Sequence, residues 1–150
     1  MRVFVQEAVT VIPRPLEEVF DFFSKAENLE KITPPSLSFK ILSAGPIEMK
    51  KGALIDYRIR LLGIPFFWRT EITEWEPMHR FADKQLKGPY RLWNHEHSFE
   101  SHPDGTLMRD VVHYGVPGWI FESIVQRLFV GPRVKEIFAF RNESIKALFA

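Results

Sequence analysis

Apolar and polar residues alternate with period two through the middle of the chain. Ile55, Tyr57, Ile59 and Leu61 alternate with Asp56, Arg58 and Arg60, the pattern of a half-buried strand. Residues 93–99 alternate in a less ordinary way. Trp93, His95, His97 and Phe99 point to one side, and Asn94, Glu96 and Ser98 to the other. The second set, continued by Glu100, is a solvated face, so the first looks inward. An inward face of aromatic rings and imidazoles is unusual for a core. It suits the wall of a mostly apolar cavity with a few polar groups, the usual make-up of a small-molecule site.

The rest of the pattern supplies the elements around these strands. Residues 4–12 are rich in β-branched side chains and predict a first strand, ended by Pro13 and Pro15. Pro15 suits the first turn of a helix, with Glu17 and Glu18 beside the positive end of its dipole. Leu16, Val19, Phe20 and Phe23 follow at helical spacing. A second short helix over 26–32 is closed by Thr33-Pro34-Pro35. Strands are expected at 39–44 and, in a meander from Gly52 onward, at 55–61, 67–75, 80–86, 93–99 and 106–116. Turns lie at Gly45-Pro46, Gly63-Ile64-Pro65, Glu76-Pro77, Gly88-Pro89 and His102-Pro103-Asp104-Gly105.

After Pro117-Gly118, residues 119–130 are helical in pattern, with Ile120, Ile124 and Leu128 at i, i+4, i+8. Gly131-Pro132 is expected to interrupt this helix. Val134, Ile137, Phe138, Arg141, Ile145 and Leu148 then run at helical spacing, and only Arg141 breaks the apolar stripe. A cation there either snorkels or finds a carboxylate. A last helix of about 17 residues is about 25 Å long and crosses a whole sheet. The expected class is α+β: a curved antiparallel sheet of about seven strands around a long C-terminal helix, with two short helices after the first strand.

Composition narrows the function. At 150 residues the chain is one domain, 1–150, long enough to bury a real core. Phe supplies 14 of the residues, which means bulky core packing or an aromatic-lined pocket. Twenty basic residues against 19 acidic ones leave a net charge of +1, which argues against nucleic acid as partner. The basic spots Lys50-Lys51 and Arg58/Arg60 read as solvated strand ends. Cysteine is absent, which removes disulfides, thiolate nucleophiles and Cys-based zinc sites. The apolar stretch 61–68 is far below spanning length and contains Gly63 and Pro65, so no integral membrane segment is expected. The first residues lack the pattern of a signal peptide, and a cytoplasmic location is the expectation.

If the turn at 102–105 is a four-residue hairpin loop, Ser101 pairs with Thr106. His97 then faces Asp110, His95 faces Val112, Trp93 faces Tyr114 and Phe99 faces Met108, while Arg109 and His113 point out. The preceding strand adds Phe81, Asp83 and Gln85, and Tyr57 comes from its own apolar face. Buried polar groups without partners cost about 1–3 kcal/mol each, so this set must bond itself, water or a ligand. Three readings stay open. One is a self-satisfied network, His97 with Asp110 and His95 with Asp83, that holds the sheet together. Another is the orientation of an apolar ligand through its oxygen atoms. The third is chemistry, by a metal on His95, His97 and Asp110 or by a His–Asp acid/base pair. No Ser or Cys nucleophile in a motif context accompanies them.

The order of several loose motifs over the full length resembles the SRPBCC superfamily, the START-like helix-grip proteins that include polyketide cyclases/aromatases and the birch pollen allergen class. They are Pro13-x-Pro15-x-x-x-Val19-Phe20-x-Phe22, Ile32-Thr33-Pro34-Pro35, Phe81-x-Asp83-x-Gln85 with Gly88-Pro89-Tyr90, Trp93-x-His95-x-His97-x-Phe99, Asp110-x-Val112-x-Tyr114-x-x-Pro117 and Ile137-Phe138-x-x-Arg141. The likeness is to a bacterial subgroup of undefined ligand. It implies a deep hydrophobic cavity between sheet and C-terminal helix for a lipid, polyketide, quinone or similar molecule. It implies neither catalysis nor a cofactor, since the superfamily mixes carriers, sensors and enzymes.

The leading expectation is a carrier or sensor of a small hydrophobic ligand, without metal or cofactor. Phe20, Tyr57, Ile59, Trp68, Trp93, Phe99, Val112, Tyr114, Ile137 and Phe138 would line the cavity. Asp83, Gln85, His95, His97 and Asp110 would form its polar end. One alternative is a cyclase- or dehydrase-like enzyme with His95 or His97 and Asp110 as acid and base. The other is an interaction module that docks on a protein partner such as the ribosome or respiratory apparatus, as some relatives do, through an apolar patch around residues 119–121.

Overall fold

In a computed structural model that describes residues 1–150, seven strands form one antiparallel sheet. They are β1 (Phe4–Ile12), β2 (Lys40–Ile41), β3 (Leu54–Leu61), β4 (Ile64–Glu76), β5 (Arg80–Lys87), β6 (Leu92–His102) and β7 (Gly105–Gly115). Their order is β1-β7-β6-β5-β4-β3-β2, so β2 to β7 are a meander and β1 closes against the last strand. Helix α1 (Leu16–Phe23) and two short 3-10 segments, Ala26–Ile32 and Pro35–Leu37, separate β1 from β2. The chain ends in a long helical run. It comprises a 3-10 turn (Trp119–Phe121), α2 (Glu122–Val125), a π turn (Gln126–Val130) and α3 (Gly131–Leu148). Register shifts in β4 at Arg69/Thr70 and Ile72/Glu74 are bulges, which bend a strand and raise its twist, and the sheet grips α3 as expected.

The register expected for β6 and β7 holds residue for residue. His97 faces Asp110, His95 faces Val112, Trp93 faces Tyr114 and Ser101 faces Thr106. Pairing continues one step further, to His102 and Gly105, so the loop is only Pro103-Asp104. Gly105 sits at φ +136°, and a Cβ there would lie 2.1 Å from the Ile12 carbonyl oxygen, so no other residue fits this corner.

Several local expectations are corrected. The second helix is 3-10 in form, and the strand at 39–44 shrinks to Lys40–Ile41. Beyond it, the Leu42 and Ser43 amides both bond the Asp56 carbonyl, which takes the chain out of ladder geometry. Pro15 caps α1 from outside its first turn. The β3–β4 turn is Leu62-Gly63, both at positive φ, as a tight hairpin needs, and Pro65 lies in β4 opposite Arg60. Gly131-Pro132 does not break the helix. Gly131 is right-handed helical, at φ −57° and ψ −48°. Pro132 has no N–H to give, and the chain absorbs this one turn earlier as the π turn.

Two apolar clusters fill the space between sheet and helices. One joins α1 to the far end of α3 through Ile12, Val19, Phe20, Phe99, Met108 and Ile145. The other packs Trp68, Trp93, Val112 and Tyr114 of the sheet on Val134 and Phe138 of α3. Each such side chain contributes about 1.5–3 kcal/mol when fully buried. Val134, Phe138, Arg141 and Ile145 are the buried face of α3, so its one buried cation lies between the two clusters.

Candidate functional site

Between the sheet, the 25–41 segment and α3 lies a cavity of about 160 Å³. Of its 28 lining residues 20 are hydrophobic, so most of its wall has nothing to offer a polar molecule. The strand alternation read in the sequence puts Tyr57 and Ile59 of β3 and Trp68 of β4 on this wall, with Trp93 of β6. Ile137 and Phe138 close it from the helix. Tyr57 stacks on Trp68 at 5.5 Å between ring centroids, and Trp93 meets Trp68 edge-on at the same distance.

The polar end is built by three neighbouring strands and α3. Asp110 is 2% exposed and accepts from three side chains. Arg141 donates to it twice, Nε to Oδ2 at 2.9 Å and Nη2 to Oδ1 at 3.2 Å. His95 Nε2 and His97 Nδ1 lie 3.1 and 3.0 Å from Oδ1. His97 Nε2 reaches Asp83 Oδ2 at 2.8 Å, so this imidazole bridges the two carboxylates. The expected pairing of His95 with Asp83 is therefore replaced. Asp83 stands opposite His95 in the ladder but bonds His97 on the diagonal, while His97 stacks on its own neighbour Phe81 at 4.1 Å. The two imidazoles stack on each other at 3.7 Å, and the Arg141 guanidinium lies over the Phe23 ring.

This geometry splits the two histidines. Burial pulls both toward neutrality. For His97 it is outweighed by hydrogen bonds to Asp110 and Asp83 and by their charges, so its pKa rises. For His95 burial and the neighbouring His97 charge outweigh Asp110 and Asp83, so its pKa falls. Burial alone would raise Asp110, but the Arg141 charge and the two imidazole hydrogen bonds hold it well below the usual carboxylate range. Asp83 is lowered in the same way, mainly by His97 against its own burial. Burial, then the Asp83 charge, pushes the Tyr57 phenol up, and burial does the same to Tyr90. The cluster thus holds two carboxylates against Arg141 and a protonated His97, and is electrically balanced. Asp83, His95 and His97 offer ligand atoms within 4.8 Å of one another. Both His97 nitrogens, His95 Nε2 and Asp83 Oδ2 are committed to hydrogen bonds beside a guanidinium, a poor setting for a divalent cation.

Of the residues expected to line the cavity, Tyr57, Ile59, Trp68, Asp83, Trp93, His95, His97, Ile137 and Phe138 do so. Phe20, Phe99, Val112 and Tyr114 do not: they are buried in the two core clusters behind it. Asp110 also stands behind the wall and acts through His95, His97 and Arg141. Gln85 turns away and clamps the Tyr90 backbone, donating from Nε2 to its carbonyl at 2.7 Å and accepting from its amide at 3.2 Å. Lining residues outside the expected set include Phe23, Leu29, Leu37, Phe39, Tyr90 and Arg141. Arg141 was marked by its lone charge on an apolar stripe. Phe23 lies on the apolar face of α1, whose period shows burial and not the cavity, and the others sit in short irregular segments without a period to reveal their face.

A family model described as polyketide cyclase / dehydrase and lipid transport matches residues 12–132. No curated protein matches the chain. Solved structures do. An aromatase/cyclase, Zhui, from a Streptomyces species superposes with a TM-score of 0.68 at 14% identity, over 99% of this chain and 98% of that one. Ginseng major latex-like protein 151 from Panax ginseng gives 0.70 at 12% identity, over 99% and 98%. Protein Ms6760 from Mycobacterium smegmatis gives 0.70 at 21% identity, over 96% and 89%. At these identities the likeness establishes a shared fold.

Proposed function

The chain belongs to the polyketide cyclase/dehydrase and lipid transport family, and from that premise we propose that it binds a small hydrophobic molecule in the cavity between sheet and α3, as carrier or sensor. The observation that carries this reading is the cavity itself: an aromatic wall closed at one end by Asp83, His95, His97 and Arg141. Tyr57, Ile59, Trp68, Trp93, Ile137 and Phe138 hold the apolar body of the ligand. The second oxygen of Asp83 and Nδ1 of His95 are acceptors and meet a ligand hydroxyl, while both nitrogens of His97 stay on Asp83 and Asp110. Because the cluster is balanced in charge, it favours a neutral ligand over a carboxylate or an amine. Apolar cavities of about 150 Å³ take up benzene, so this one holds a ring or two in its present form. A longer lipid, quinone or polyketide enters if the 25–41 segment or α3 yields. Native mass spectrometry after gentle purification tests the reading. We expect the protein to carry a small neutral mass that organic solvent releases; only bare protein under all gentle conditions would count against it.

The split between the two histidines favours a second reading, a cyclase- or dehydrase-like activity in the same cavity. Paired groups whose pKa values are pushed apart serve as base and acid. His95, bonded to Asp110 through Nε2, keeps Nδ1 as an acceptor for a substrate proton, and protonated His97 returns one by passing its Nε2 proton to Asp83, whose carboxyl lines the cavity and hands it on. In this reading His95→Gln lowers turnover of a poly-β-ketone substrate roughly a hundred- to ten-thousand-fold and leaves ligand binding intact. Equal turnover in the variant would remove this reading and leave the binding one untouched.

A further inference from the structure

The segment from Trp119 to Val130 is an amphipathic helix turned inside out. Ile120, Ile124 and Leu128 share one face, with Trp119, Phe121 and Phe129 beside it, and all six are 54–77% exposed. Two of its polar residues, Glu122 and Gln126, face the protein instead. Glu122 bonds Arg91 at 3.1 Å and the Arg2 amide at 3.0 Å, and Gln126 accepts from the Tyr114 hydroxyl at 3.3 Å. A water-facing helix is expected to show the reverse pattern, and a contiguous exposed apolar patch marks an interaction site. Trp119 is held at φ +51°, next to Gly118 at φ +122°, so the exposed indole is presented at some backbone cost.

The sheet register shows what else shares this end. The β3–β4 turn, the β5–β6 loop, the start of β1 and the exit of β7 all lie at one end of the sheet. Leu62, 75% exposed, and Ile64, 58% exposed, add a second apolar tip there. The charges at this end are one-sided. Residues 1–4, 59–67, 85–93 and 114–134 contain six cations, Arg2, Arg60, Lys87, Arg91, Arg127 and Arg133, against one acid. That acid is Glu122, already bonded to Arg91. The remainder of the chain holds 14 cations and 18 acids, so the near-neutral total hides a strongly polarised molecule.

We infer that this end docks on the surface of an anionic lipid bilayer, with Trp119, Ile120, Phe121, Ile124, Leu128 and Phe129 in the acyl boundary and the cations among the headgroups. Exposed apolar area and clustered Arg/Lys supply the two components that interfacial helices combine. No helix is long and apolar enough to cross a membrane, so the contact is peripheral. The inference stands apart from the cavity, because none of the six apolar residues lines it.

Co-sedimentation with vesicles tests this, using equal parts phosphatidylglycerol and phosphatidylcholine against phosphatidylcholine alone. We expect the full chain to pellet with the anionic vesicles, to be released by salt, and to show a blue shift in tryptophan emission that Trp119→Phe removes. Ile124→Glu with Leu128→Glu should weaken partition at least roughly tenfold. Arg127→Glu should weaken it while leaving the circular dichroism spectrum unchanged. Because the changed side chains are exposed, folding is not at risk. Three results would overturn the inference: no vesicle binding, equal binding to neutral vesicles, or a lipid-free dimer that Ile124→Glu with Leu128→Glu dissolves, which would assign the patch to a second copy.

Discussion

Asp110 is the residue on which the polar cluster turns. It fixes Arg141 through two hydrogen bonds and touches both imidazoles, so the state of each depends on the others. The consequence for stability is a maximum in pH. His95 has a lowered folded pKa, so the unfolded chain binds more protons between that value and about 6.5, and stability rises with pH there. His97 has a raised folded pKa, so its contribution is complete below about 6.5 and is lost as pH climbs through the folded value. Asp83 and Asp110, both lowered, add a further loss below about 4. Urea unfolding across pH should peak near 6.5. His97→Gln should flatten the alkaline limb, and an unchanged limb would contradict the protonated bridge. The sequence made His97 and Asp110 legible as ladder partners, because pairing across a short hairpin follows from turn length. It did not reveal the diagonal bond from Asp83 to His97, which depends on how side chains lean once Phe81 has stacked.

Among the elements, the C-terminal helix departs most from its pattern. Periodicity locates both of its halves and its apolar stripe, and Gly131-Pro132 in the sequence predicts an interruption between them. The π turn keeps the backbone helical through that point, so the helix stays continuous from the exposed end to the buried cluster. Gly131 is what permits it. A Cβ there would lie 2.8 Å from the Gln126 carbonyl oxygen and 2.6 Å from its side-chain oxygen. Gly→Ala in an ordinary helix gains about 1 kcal/mol. Here Gly131→Ala should instead lower stability by about 1 kcal/mol or more in urea titration, since the π turn must widen or the Gln126–Tyr114 bond must break. A stabilised variant would show that the turn relaxes freely. The strands, by contrast, were legible almost throughout: alternation fixes a face wherever one side is buried. The 3-10 segments of the 25–41 stretch carry no such period, which is why Leu29, Leu37 and Phe39 went unassigned to the cavity.

At the scale of the whole molecule, sheet and helix leave a space that neither cluster fills. The order of elements points to this helix-grip arrangement, because a run of antiparallel strands followed by one long helix leaves that helix to cover the apolar face of the sheet. The depth of individual side chains was not legible, and Phe20, Phe99, Val112 and Tyr114 proved to be packing behind the wall. Two tryptophans, Trp68 and Trp93, stand on the cavity wall and report on its contents. Titration with naphthol, a neutral two-ring alcohol, therefore tests most directly whether the cavity is a binding site. Tryptophan emission should quench and saturate at one equivalent, and Trp68→Phe should reduce the amplitude without abolishing binding. Quenching that never saturates, or is the same after Trp68→Phe with Trp93→Phe, would contradict a ligand site between sheet and helix.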